Sequence, residues 1–172
     1  WITTGFFTTQ RYGGVSMEEN WRDTTPLTYD DTMARIEDPN SRPFVRVFRA
    51  IQEAELDFDA AVEYIVSGQN IAPFYIIMTG THRRGAILTI DSNASLTRTE
   101  YLHDNMTVTF KVQTNYDRWL PDPPSDPRRT VAENTLTMMG RYRSGTELGV
   151  WMALSTYPVH NPTTLFSAIM SA

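Results

Sequence analysis

The hydrophobic period of this chain changes near residue 70, and that change limits the folds open to it. Before it, Val45, Phe48, Ile51 and Ala54 recur at helical spacing, and Phe58, Val62, Ile65 and Val66 form a second apolar face. Asp57 can cap that second helix and Gly68 suits its end. An α-hairpin is therefore predicted over 44–68. After Ile71 the pattern becomes short, β-branched and aromatic. Phe74-Tyr75-Ile76-Ile77-Met78 stands between Pro73 and Gly80, and Ala86-Ile87-Leu88-Thr89-Ile90 follows a Thr-His-Arg-Arg-Gly turn. Such a pair reads as a buried hairpin. Helices followed by runs of antiparallel strands predict an α+β layered domain. No internal repeat or linker divides the chain, so 1–172 reads as a single domain.

The remaining segments fill in around this frame. Residues 1–20 suggest two short strands with a turn, and the Asp-, Thr- and Pro-rich 21–43 a loop. A strand is expected at 96–102. Thr107 to Thr114 alternates, with Val108, Phe110 and Val112 against Thr109, Lys111 and Gln113, and would deliver Thr114-Asn115-Tyr116 to a sheet end. Residues 119–127 read as a proline-rich loop, 131–139 and 148–157 as helices, and 163–170 as a final strand.

Composition removes several function classes. A net charge of −5 argues against nucleic acid, whose phosphates require a basic surface. Cysteine is absent, which removes disulfides, thiolate metal sites and a cysteine nucleophile from this segment. His82, His103 and His160 are far apart and show no metal-ligand spacing, and no GxSxG elbow, P-loop or dinucleotide fingerprint occurs. Neither a metal nor a cofactor is expected, and His82 reads as a solvated turn residue. No apolar run reaches transmembrane length. The sequons at Asn93 and Asn105 mildly favour a secretory route. The chain starts at Trp1 with no visible leader, so it reads as a processed or truncated piece.

One constellation is dense in chemistry: Val112-Gln113-Thr114-Asn115-Tyr116-Asp117-Arg118-Trp119, followed by Asp126-Pro127-Arg128-Arg129-Thr130. Asparagine is disfavoured inside strands, and at a strand end its amide can donate to a developing oxyanion. An arginine thirteen residues later can return to the same place and add a fixed positive charge. The plainer alternative is that Asn115 closes a turn, Asp117 pairs with Arg118, and Arg129 decorates a helix start.

This constellation resembles the signature of the acid ceramidase and N-acylethanolamine acid amidase family. Ile71-Ala72-Pro73-Phe74-Tyr75-Ile76-Ile77 with Ile87-Leu88-Thr89-Ile90-Asp91 is similar to the family's hairpin, and Phe58-Asp59-Ala60-Ala61-Val62 to the helix before it. Thr4-Gly5-Phe6 and Ser155-Thr156-Tyr157-Pro158-Val159-His160-Asn161 also have counterparts, so the likeness covers nearly the whole chain, more loosely over 21–43. The resemblance implies an N-terminal-nucleophile αββα sandwich of stacked antiparallel sheets. It also implies a precursor that cleaves itself to expose an N-terminal cysteine, whose thiol attacks an amide while its own α-amine acts as base. Asn115 would then serve the oxyanion hole and Arg128 would organise the site. An acidic residue in Val15-Ser16-Met17-Glu18-Glu19, placed at Glu19 with Glu18 as the alternative register, would complete the centre.

The family's cysteine, and the Arg and Asp that follow it, fall before anything equivalent to Trp1. This chain would therefore be the C-terminal portion of a larger domain, or would rely on a partner chain for the nucleophile. A third option is a non-catalytic scaffold or subunit that kept the fold. The implied substrate is a fatty acyl amide, ceramide or N-acylethanolamine, in a lysosomal or secreted setting. Trp119, Leu120 and the prolines after them can line an acyl channel, make peripheral contact with a membrane surface, or simply pack. Pro127 fixes the backbone before Arg128, and adjacent helical residues project about 100° apart. If Arg128 faces the site, Arg129 is expected to face away and to tolerate lysine.

Overall fold

The computed structural model describes residues 2–4, 7–22, 24, 27–91, 98–102 and 109–170. Its centre is an antiparallel sheet. Strands β1 (Ile2–Thr4), β2 (Thr8–Arg11), β3 (Ser16–Trp21), β6 (Phe74–Gly80), β7 (Arg84–Ile90) and β8 (Arg98–Leu102) pair in that order across it. The β6–β7 hairpin predicted from the β-branched runs forms its middle. His82 and Arg83 close the hairpin turn at positive φ, with His82 exposed.

Register decides which side chains meet. Met17 is opposite Met78, Glu19 opposite Ile76, and Trp21 opposite Phe74; on the next pair, Met78, Ile76 and Phe74 stand opposite Ala86, Leu88 and Ile90. These residues share one face because side chains alternate along a strand. The face is covered by α2 (Phe44–Glu53) and α3 (Phe58–Val66), and Met17, Ile76, Met78 and Leu88 pack into one core with Val47, Phe48, Ile51, Ala61 and Ile65. Asp57 caps α3 as expected, its carboxylate accepting from the Ala60 amide at 2.9 Å. Phe58 of α3 packs closely over Gly80, where a Cβ would stand 2.8 Å from its ring.

The opposite face presents Glu18, Asn20, Tyr75, Ile77, Ile87 and Thr89. Residues 109–127 run across it without helix or strand pairing. The chain then enters α4 (Arg128–Ser144), which is broken at Gly140 (φ 73°), and α5 (Glu147–Ser155).

Four expectations need correction. Residues 1–20 hold three strands rather than two. The supposed loop 21–43 contains α1 (Tyr29–Glu37) and β4 (Ser41–Arg42), which pairs in parallel with β5 (Gln69–Asn70). Thr28 nucleates α1 by accepting from the Asp31 amide at 3.1 Å, a capping signal hidden in polar sequence. Residues 109–114 join no ladder, although they alternate as a strand would; 107 and 108 lie outside the described residues. Residues 163–170 form no strand. Both sequons lie outside the described residues.

Candidate active site

The end of β3 and the loop after residue 114 meet at Asn115. Its Nδ2 donates to the Trp21 carbonyl at 2.8 Å, and its Oδ1 accepts from Arg128 Nη2 at 2.7 Å. These two partners fix the amide's orientation. A carbonyl can only accept and a guanidinium can only donate, so nitrogen must face Trp21 and oxygen must face Arg128. The amide nitrogen has two hydrogens, and one remains for a ligand.

Arg128 enters from the first turn of α4. Its Nε and Nη2 grip the Asp126 carboxylate at 2.6 Å each. The arginine holds the Asp126 carboxyl below its usual range, and the carboxylate in turn raises the guanidinium. Because the pair is nearly neutral, Arg128 does not act as the bare positive charge that spacing alone suggests. It acts as a donor to Asn115 Oδ1, which polarises the amide and strengthens its remaining N–H.

Arg129 does point elsewhere, as adjacent helical positions require, but it does not merely decorate the helix. Its side chain is 7% exposed. It bonds the carbonyls of Asp117 (3.1 Å) and Leu120 (2.5 Å) and pairs with Asp122 at 2.9 Å. This buried clamp holds the loop in which Trp119 and Leu120 stand about half exposed, Trp119 with the Arg98 guanidinium 4.6 Å from its ring centre. Asp117 does not pair with Arg118 either. Arg118 bonds Glu100 at 2.9 Å, while Asp117 takes a two-pronged contact from Arg22. Arg22 and Asp117 are 95 residues apart, so no local spacing could reveal the pair.

Glu19 is buried on β3, on the helix-covered face beside Met17 and Ile76. Among the described residues, no hydrogen bond or ion pair joins its carboxyl to Asn115 or Arg128. Glu18 lies on the opposite face, the one crossed by residues 109–127, where Asn20 donates to the Gln113 carbonyl at 3.2 Å. Burial, with help from Glu18, pushes Glu19 up to about 7 from an ordinary 4.5. Burial also raises Glu18. A carboxyl raised on folding gives stability that is fully present below the unfolded pKa and lost as pH rises through the folded one. Stability contributed by Glu19 is thus expected to fall between about pH 4.5 and 7. Glu19→Gln should remove that slope, worth roughly 1–2 kcal/mol once solvent screening is allowed for. Urea unfolding of both proteins at pH 4.5 and 7.5 checks this; parallel pH profiles would contradict it.

A cleft of about 210 Å³ is lined by Trp21, Arg22, Leu27, Thr32, Ala72 and Pro73, and neither Asn115 nor Arg128 lines it. It is below the size of most small-molecule sites. Among the described residues, no group of His, Asp and Glu could hold a metal ion, and no helix is long and apolar enough to cross a membrane.

Comparison with known proteins places this geometry in context. No family model matches the chain. The N-acylethanolamine-hydrolyzing acid amidase of Oryctolagus cuniculus is 37% identical over 125 residues, covering 71% of this chain and 34% of that protein. The acid ceramidase of Balaenoptera acutorostrata scammoni is 30% identical over 125 residues, covering 72% of this chain and 31% of that protein. A solved structure of the Caenorhabditis elegans N-acylethanolamine-hydrolyzing acid amidase ortholog superposes with a TM-score of 0.73 at 26% identity, covering 93% of this chain and 67% of that one. The matched stretch spans about a third of the curated relatives' length. Helices and an antiparallel sheet arranged as in that solved structure, with sequence likeness to both kinds of enzyme, show that the chain belongs to the N-acylethanolamine acid amidase and acid ceramidase family of hydrolases.

Proposed function

We propose that the complete protein hydrolyses the amide bond of a fatty acyl amide, and that these 172 residues supply the oxyanion side of its active site. The observation that carries this reading is the Asn115 amide, pinned at both ends by Trp21 and Arg128 with one N–H left over. A donor held in place before reaction stabilises developing charge without reorganising.

The chain holds no cysteine, so the nucleophile is proposed to be an N-terminal cysteine outside it, on the same precursor or on a partner chain. Its thiolate would attack the carbonyl carbon, the oxyanion resting on Asn115 Nδ2. The C–N bond would then break, with the amine leaving after it takes a proton from the cysteine's α-ammonium. Water would release the fatty acid from the thioester. Arg128 would act through Asn115, and Glu19 would belong to the wider centre. The substrate site would be completed by residues beyond this chain. The half-exposed Trp119 and Leu120 would line the acyl channel or make peripheral contact with the membrane that holds the substrate. A lysosomal or secreted setting is part of the same proposal.

The test is release of free fatty acid from ceramide and from an N-acylethanolamine by the native complete protein and by the 172-residue chain, at pH 4–7. The complete protein is expected to turn over and the chain alone to be inert. No release by the complete protein would favour a scaffold that kept the fold without the chemistry, and release by the chain alone would refute an external nucleophile.

A further inference from the structure

Asn115 is held by more than its own two hydrogen bonds. Arg22 follows Trp21, the residue whose carbonyl takes the Asn115 amide, and Asp117 stands two residues after Asn115. Arg22 Nε and Nη2 meet the two Asp117 oxygens at 2.8 and 3.0 Å. Its Nη1 meets Asp91 at 2.7 Å. Tyr75, fully buried at the start of β6, donates its hydroxyl to Asp117 Oδ1 at 2.6 Å. The ends of β3 and β6 thus converge on the Asp117 carboxylate, whose loop carries Asn115, and Asp91, just after β7, joins through Arg22. The Arg22 and Asp117 side chains are 7% and 13% exposed, so water competes little for these contacts.

We infer that Tyr75, Arg22, Asp91 and Asp117 form a positioning device that sets the reach and direction of the Asn115 amide. The inference rests on the oxyanion role proposed above and extends it to four residues that act on Asn115 through the chain segments beside it. Two bridges join the same two segments side by side, Trp21 to Asn115 and Arg22 to Asp117. With both in place the loop cannot slide or rotate without breaking a buried charged contact. The Asn115 bonds alone would leave the loop free to pivot about Trp21. Tyr75 restrains the Asp117 carboxylate further by donating to Oδ1, the oxygen that Arg22 Nε also meets. Burial, together with the hydrogen bond to Asp117, raises the Tyr75 hydroxyl, and the Arg22 and Tyr75 hydrogen bonds hold the Asp117 carboxyl below its ordinary range against the opposing effect of desolvation.

Tyr75→Phe in the complete protein is the test, because it removes one oxygen and little volume. Loss of a hydrogen bond to a charged group should lower kcat roughly tenfold while KM for the fatty acyl amide stays within about twofold. The Asn115 side-chain amide resonance, in protein labelled at asparagine nitrogen, should shift. An unchanged kcat, or equal losses in kcat/KM and melting temperature with the Asn115 resonance unmoved, would overturn the inference. If the complete protein shows no turnover at all, the oxyanion reading fails. The resonance then decides the positioning role separately: a shift supports it and an unmoved signal refutes it. If Tyr75→Phe does not fold, Asp91→Asn, at the partly exposed far end of the same contacts, carries the same two readouts with a smaller expected change.

Discussion

Replacing Asn115 with alanine in the complete protein is expected to lower kcat by roughly 100- to 1000-fold, the usual cost of losing one oxyanion donor. KM should change much less, because the donor acts on charge that develops in the transition state. The expectation follows from the geometry at Asn115. Its oxygen is committed to Arg128 and one amide hydrogen to Trp21, so the second hydrogen is the group the site can offer. Steady-state kinetics with an N-acylethanolamine and with ceramide would check it. A raised KM with intact kcat would make Asn115 a binding or structural residue.

The second large effect separates two neighbouring arginines. Arg128→Lys should lose most activity, at least tenfold, while the protein stays folded. Lysine can reach Asp126 or Asn115 but lacks the planar fork that serves both. Sequence spacing gives Arg129 a passive role; the structure gives it a buried one. Arg129→Lys should cost about 2 kcal/mol of stability, because the Asp117 and Leu120 carbonyls and the Asp122 carboxylate lose fixed donors. Its activity should fall with the folded fraction rather than beyond it. Thermal unfolding together with kcat for each variant distinguishes the cases. A folded, active Arg128→Lys protein would remove Arg128 from the site.

What the sequence disclosed and what it hid follow a physical pattern. The α2–α3 pair and the β6–β7 hairpin were legible because burial imposes a period on the residues that face the core. Asn115 and Arg128 were legible as a local motif whose offset brings the chain back to the same place. The Arg22–Asp117–Tyr75 contacts were not, because they join residues 42 and 95 positions apart and each residue alone looks ordinary. Helix α1 was missed because none of its residues is buried, so it carries no apolar stripe; its signal is the Thr28 cap. Residues 109–114 kept the alternation of a strand without a ladder beside them.

The central claim is that this chain supplies the oxyanion donor while the nucleophile lies on a cysteine outside it. Acid-quenching the native complete protein with a slowly hydrolysed fatty acyl amide, followed by intact-mass analysis of its chains, tests that most directly. The expected result is an acyl adduct on an N-terminal cysteine, absent from these 172 residues and much reduced in the Asn115→Ala protein. An acyl adduct on a serine or threonine within these residues, or sustained hydrolysis by a protein with no N-terminal cysteine, would contradict it.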